Sequence, residues 1–69
     1  MARKRYVFRE GGELTYDEET GEIIELKLSS DASAEEILVR LREGEYDKEL
    51  PEKVRVRLEE RLEESLGNY

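Results

Sequence analysis

Apolar residues along this chain follow two periodicities, one after the other. Between Arg5 and Leu28 they alternate with polar residues, at Tyr6, Phe8, Leu14, Tyr16, Ile24, Leu26 and Leu28. Alternation with period two gives a sheet one apolar face. Beyond residue 33 the spacing becomes three and four. Ala34, Ile37, Leu38 and Leu41 form one stripe, and Val54, Leu58, Leu62 and Leu66 form another. These are stripes of amphipathic helices. The pattern predicts an α+β domain of order βββαα. A three-stranded antiparallel meander (order 1-2-3) spans 3–28, and helices at 33–43 and 51–66 cover one sheet face.

Turn chemistry sets the expected registers. A three-residue loop Glu10-Gly11-Gly12, with Gly12 left-handed in a G1 bulge, places Phe8 opposite Leu14 and Tyr6 opposite Tyr16. It also pairs Arg9 with Glu13 and Arg5 with Asp17, opposite charges facing. A two-residue Gly11-Gly12 turn suits a type I′ geometry, but sets Tyr6 against Asp17 and turns every side chain of the second strand to the other face. Core chemistry rejects it.

The second hairpin turns through Glu18-Glu19-Thr20-Gly21. A three-residue loop ending at Gly21 pairs Tyr16 with Ile24, Leu14 with Leu26 and Glu13 with Lys27. A four-residue loop fits the local sequence equally well. The longer loop, however, would bury Thr15 instead of Leu14 and Tyr16, so the shorter loop is expected. The segment Thr15-Tyr16-Asp17-Glu18-Glu19-Thr20 resembles the second hairpin of the immunoglobulin-binding protein G domain, which uses the longer loop. That resemblance covers one turn and implies nothing about antibody binding, because the remaining topology differs.

On the expected register the other sheet face carries Val7, Thr15 and Ile23 among charged residues. The assignment predicts that Leu26→Asp unfolds the domain and Ile23→Lys does not. Ser33-Ala34-Glu35-Glu36 reads as a capping box opening the first helix, which Gly44 stops. Glu36 and Arg40 are an i,i+4 pair in the favoured order. Tyr46 and Leu50 are expected to tuck under the helix ends; either Asp47 caps a first turn or Pro51 opens the helix at its first position. Gly67 closes the second helix, leaving Asn68-Tyr69 as a tail. Val39 and Val56 point away from both stripes.

Composition narrows the function classes. Sixty-nine residues suffice for one small core. Cys and His are absent, so neither disulfides nor a Cys/His zinc site is available. Nineteen acidic residues against twelve basic ones give a net charge of −7, which argues against nucleic acid and anionic membranes as partners. Met1-Ala2-Arg3-Lys4-Arg5 leads into no long apolar run, so neither a targeting segment nor a membrane span is expected, and the chain reads as soluble.

No catalytic, cofactor-binding or metal-ligating residue stands out, and no enzyme activity or cofactor is expected. The acidic loop Asp17 to Glu22 lacks the ligand alternation of an EF-hand. Arg3, Lys4, Arg5 and Arg9 interleaved with Tyr6 and Phe8 superficially suggest a single-stranded nucleic-acid ribbon. Those aromatics, however, belong to the core face, and basic residues on an edge strand also oppose edge-to-edge pairing.

Local signals agree with one another along the whole chain. Ser33-Ala34-Glu35-Glu36, Glu19-Thr20-Gly21-Glu22 and the helices filled with Glu and Arg resemble computationally designed (de novo) small proteins in sequence style. The resemblance implies a stable monomeric scaffold with no evolved biochemical function and no partner. The competing expectation is a small acidic protein–protein interaction module. It would self-associate as a homodimer through the Ile23-Leu28 edge or a Val7/Ile23 patch.

Overall fold

Three antiparallel strands lead into two helices in the computed structural model, which describes residues 2–67, with backbone alone at 31 and 32. They are β1 (Arg3–Val7), β2 (Gly12–Asp17), β3 (Ile23–Leu28), α1 (Asp31–Arg42) and α2 (Glu52–Leu66). The sheet order is β1-β2-β3, and α1 and α2 pack on each other and on β3. This is the α+β, βββαα arrangement that the hydrophobic pattern predicts. The radius of gyration, 11.0 Å, equals the roughly 11 Å of a folded chain this long, so 45% charged residues do not prevent collapse. Asn68 and Tyr69, read above as a tail, lie outside the described residues.

The first hairpin uses the expected loop type, moved back by one residue. Phe8 N–H donates to Gly12 O at 3.0 Å and Gly11 N–H to Phe8 O at 3.2 Å, so the loop is Arg9-Glu10-Gly11. Gly11, not Gly12, occupies the bulge position, with φ 99°. Moving the loop by one residue shifts the ladder by two. Tyr6 faces Leu14, Lys4 faces Tyr16, Arg5 faces Thr15 and Arg3 faces Asp17. A shift of two keeps each side chain on its face. Leu14, Tyr16 and Phe8 are therefore buried as expected. The expected pairs Arg9–Glu13 and Arg5–Asp17 give way to a diagonal ion pair between Arg5 and Glu13.

The second hairpin uses the longer loop. Gly21 N–H donates to Asp17 O and Asp17 N–H to Glu22 O, both at 2.8 Å, leaving Glu18, Glu19, Thr20 and Gly21 between them. Asp17 Oδ1 accepts from the N–H groups of Glu19 and Thr20, at 2.8 and 3.2 Å. This Asx-type turn holds the tip. Leu14 still faces Leu26 and Glu13 faces Lys27, because the ladder shifts between Thr15 and Tyr16, and Tyr16 pairs with Ile23. The bulge adds one residue to β3 and absorbs the fourth loop residue. It also exchanges the two isoleucines. Ile23 turns into the core at 9% exposure, and Ile24 faces out at 39%. The expected Val7/Ile23 patch therefore does not exist, and Ile23→Lys is not a neutral change. The bulge is how Leu14 and Tyr16 stay buried above the longer loop.

Helix α1 begins two residues before the expected start. Ser30, not Ser33, is its N-cap, and the Ser30 side chain accepts from Ser33 N–H at 3.2 Å. Ser33 is buried and its hydroxyl donates to Glu10 O at 2.9 Å, fastening the first hairpin to the helix. Glu43 is the C-cap of the helix, one residue before Gly44 at φ 86°. Pro51 is the N-cap of α2 and not its first residue, since its φ of −61° and ψ of 151° are extended. Its carbonyl accepts from Val54 and Arg55 at 3.0 Å each.

The core lies between the sheet and the two helices. Leu14, Ile37, Val54, Leu58 and Leu62 are fully enclosed, while Leu26, Leu28 and Leu66 pack at its margin. Each fully buried leucine contributes about 2 kcal/mol relative to exposure. Tyr46 and Leu50, from the turns between the helices, close the ends as expected, and Val39 and Val56 point outward.

Candidate functional site

The most constructed polar site sits where the first hairpin loop meets α1 and the turn after it. Gly11 folds the loop so that Glu10, its middle residue, points inward and leaves only 7% of its side chain exposed. Arg40, on the last turn of α1, places Nε 2.8 Å from Glu10 Oε2. This is a charge contact outside the N–H direction, so the buried Nε has no hydrogen-bond partner. Tyr46 donates its hydroxyl to Glu10 Oε1 at 3.1 Å. The outer end of the Arg40 guanidinium meets Glu36 at 3.1 Å and Glu45 at 3.4 Å. Beneath the carboxylate, Tyr6, Phe8 and Tyr46 pack edge to face with centroids 5.1 to 5.9 Å apart.

The electrostatics follow from burial. Desolvation raises the Tyr46 phenol strongly, and the Glu10 charge and the hydrogen bond to it add to the shift. Burial also raises Tyr6, followed by the hydrogen bond and charge of Glu49. Both phenols are thus protonated at neutral pH and act as donors, not as bases or nucleophiles. Both Glu10 oxygens are engaged. The cleft beside them, bordered by Arg9 and Glu49, measures ≈ 130 Å³, below the roughly 300 Å³ of the smallest ordinary ligand pockets. Chemically the arrangement is a tie between elements distant in sequence.

Shallower grooves lie elsewhere, and two of them adjoin the sheet or its hairpin tip. One, of ≈ 660 Å³, runs between the tip of the second hairpin and α2, along Thr20, Lys53, Val56 and Glu60. The other, of ≈ 500 Å³, is floored by Leu26 and Leu28 and walled by Arg61, Glu64 and Ser65 of α2. Among the described residues, no group of three or more His, Cys, Asp or Glu is arranged to hold a metal ion. The oxygen most suggestive of calcium, Asp17 Oδ1, is taken by the turn amides. No described helix is long and apolar enough to cross a membrane.

No protein-family model, curated protein or solved structure matches the chain.

The suggestive β1 ribbon comes apart in three dimensions. Tyr6 and Phe8 join Tyr46 beneath Glu10, and Arg5 turns to Glu13 on the opposite sheet face. Arg5 and the aromatic rings therefore lie on different faces, and Arg9, which does border Tyr6, shares its cleft with Glu10, Glu45 and Glu49. Sequence reasoning missed Glu10 and Ser33 as buried connectors. A glutamate beside two glycines reads as an ordinary solvated turn residue. Only the identity of its distant partners, Arg40 and Tyr46, distinguishes it.

Proposed function

We propose that the chain is a designed scaffold whose purpose is its fold, with no evolved ligand, cofactor or catalytic centre. The observation that carries this reading concerns the backbone. All five glycines have positive φ, and no other described residue does. A few per cent of non-glycine residues ordinarily sit at positive φ, about two in a chain of this size. One-to-one use of glycine is the idealisation that designed backbones follow. The Ser30 cap of α1, the Asx-type turn and the basic residues on the β1 edge support the same reading. Departures among the described residues are the partly unsatisfied Arg40, which serves a contact between elements, the α2 start at Pro51 without a side-chain cap, and the β3 bulge.

Idealised backbones are typically hyperstable, so the ligand-free purified chain is expected to unfold cooperatively and reversibly at a midpoint above about 90 °C. Circular dichroism with repeated heating measures this. A midpoint in the ordinary range of about 45–65 °C, or folding that requires a bound partner, overturns the scaffold reading.

A further inference from the structure

The sheet has two open edges, and they differ in self-complementarity. β1 offers Arg3, Lys4 and Arg5 within five residues, so two copies of that edge repel each other. β3 carries one acidic and one basic residue, Glu25 and Lys27, symmetrically about Leu26. Both side chains point out of the sheet face away from the helices and are 57% and 65% exposed. Their contact within the strand is 3.9 Å, so both remain available to other partners.

Backbone alternation identifies the free groups. Asp17 N–H donates to Glu22 O across the second hairpin, and Thr15 and Glu13 then face Glu25 and Lys27 with their backbone groups. Leu26 and Leu28 consequently direct N–H and C=O away from β2, to the open edge. Beside that edge, the groove floored by the same two leucines leaves them only partly covered by α2.

We infer that the β3 edge pairs antiparallel with the β3 edge of a second copy of this chain, about a two-fold axis through Leu26. Leu26 then exchanges two backbone hydrogen bonds with Leu26 of the second copy. Glu25 lies opposite Lys27 of the second copy, and Lys27 opposite its Glu25. These are non-hydrogen-bonded positions, where cross-strand side chains come closest. The sheet becomes six-stranded with all helices on one face, and the interface is isologous. The net charge of −7 on each copy opposes association. That repulsion is screened over about 8 Å at physiological salt, while the Glu–Lys pairs are in contact. The interface is small, so association is weak. The inference does not rest on the scaffold reading, which is tested by ligand-free unfolding, not by mass.

Sedimentation velocity from about 10 µM to about 1 mM tests it, this being the range of weak, small interfaces. The mass is expected to rise from 8.1 kDa towards twice that value. Glu25→Lys alone and Lys27→Glu alone each place like charges opposite one another, and each is expected to weaken association at least about tenfold. Mixing the two variants restores opposite charges and is expected to restore association as a heterodimer. Circular dichroism confirms that each variant stays folded. A wild-type mass of 8.1 kDa at the highest concentration overturns the inference. So does wild-type association that the single variants leave intact, or a mixture no more associated than its components.

Discussion

The bulge in β3 makes a prediction that separates this structure from a regular ladder. In a regular ladder with Leu14 opposite Leu26, Tyr16 faces Ile24, which is buried, and Ile23 is exposed. Here the reverse holds, with Ile23 at 9% exposure and Ile24 at 39%. Replacing each isoleucine with lysine reads the difference directly. Full burial of an isoleucine is worth about 1.5–3 kcal/mol. Lysine at 23 loses most of that, because its stem does not fill a β-branched site even where the amine reaches water along the edge. The expected cost of Ile23→Lys is about 2–3 kcal/mol. At 24 the lysine stem covers the same half-exposed ground, and the expected cost is within about 0.5 kcal/mol. Guanidinium unfolding followed by circular dichroism measures both. With a slope near 2 kcal/mol per molar for a small domain, Ile23→Lys is expected to lower the midpoint by about 1–1.5 M and Ile24→Lys by less than about 0.3 M. If Ile24→Lys costs as much as Ile23→Lys or more, β3 has no bulge and the four-residue loop is wrong with it.

Two further perturbations probe the contacts between hairpins and helices. A Cβ on Gly21 would sit 2.5 Å from Lys53 Cβ at a backbone φ of 80°, so Gly21→Ala is expected to cost about 1–3 kcal/mol, read as a lowered denaturation midpoint. Tyr46→Phe removes the hydroxyl that donates to Glu10, and a loss of about 1 kcal/mol is expected in the same assay. The folded-state phenols of Tyr6, Tyr16 and Tyr46 are raised, chiefly by burial. The unfolded chain therefore loses these protons first. Their contribution is fully present below the unfolded value of about 10 and is lost as pH rises through the folded values. Absorbance titration is expected to show tyrosinate appearing late, coupled to unfolding. Titration of Tyr46 at the ordinary phenol value in the folded chain would refute its burial against Glu10.

Much of the fold is legible in the sequence because it depends on which face a residue occupies. Ala34, Ile37, Leu38 and Leu41, like Val54, Leu58 and Leu62, announce their stripes by spacing alone, and all are buried. The helix starts are less legible, since Ser30 and Ser33 are both good caps. The choice between them depends on Glu10 O, which takes the Ser33 hydroxyl and lies 23 residues away. The candidate site is legible only in part: spacing marks the Glu36–Arg40 pair and places Tyr46 at the helix ends, but not their meeting with Glu10. Nothing local distinguishes Glu10 from the other fifteen glutamates.

The strand registers show the physical reason for this boundary. Side-chain period two specifies a face, so ladders that differ by two residues are equivalent to any argument from alternation. Arg9-Glu10-Gly11 and Glu10-Gly11-Gly12 both form a three-residue loop with a glycine at the bulge, and both bury Leu14 and Tyr16. Only the first sets Glu10 in mid-loop, where its carboxylate meets Arg40 and Tyr46 and its carbonyl meets Ser33. The same degeneracy operates in the second hairpin. There a longer loop and a bulge together leave Leu14 opposite Leu26, as a shorter loop alone would. Two irregularities that cancel are invisible to any pattern that counts only faces. In both hairpins the deciding contacts are tertiary: Glu10 on α1, and the hairpin tip on the first turn of α2, where Lys53 Nζ donates to Glu19 O at 2.7 Å. The helices therefore do more than cover a finished meander. They select among its in-phase registers, and α1 does so through Arg40 and Glu10, the most buried carboxylate among the described ion pairs.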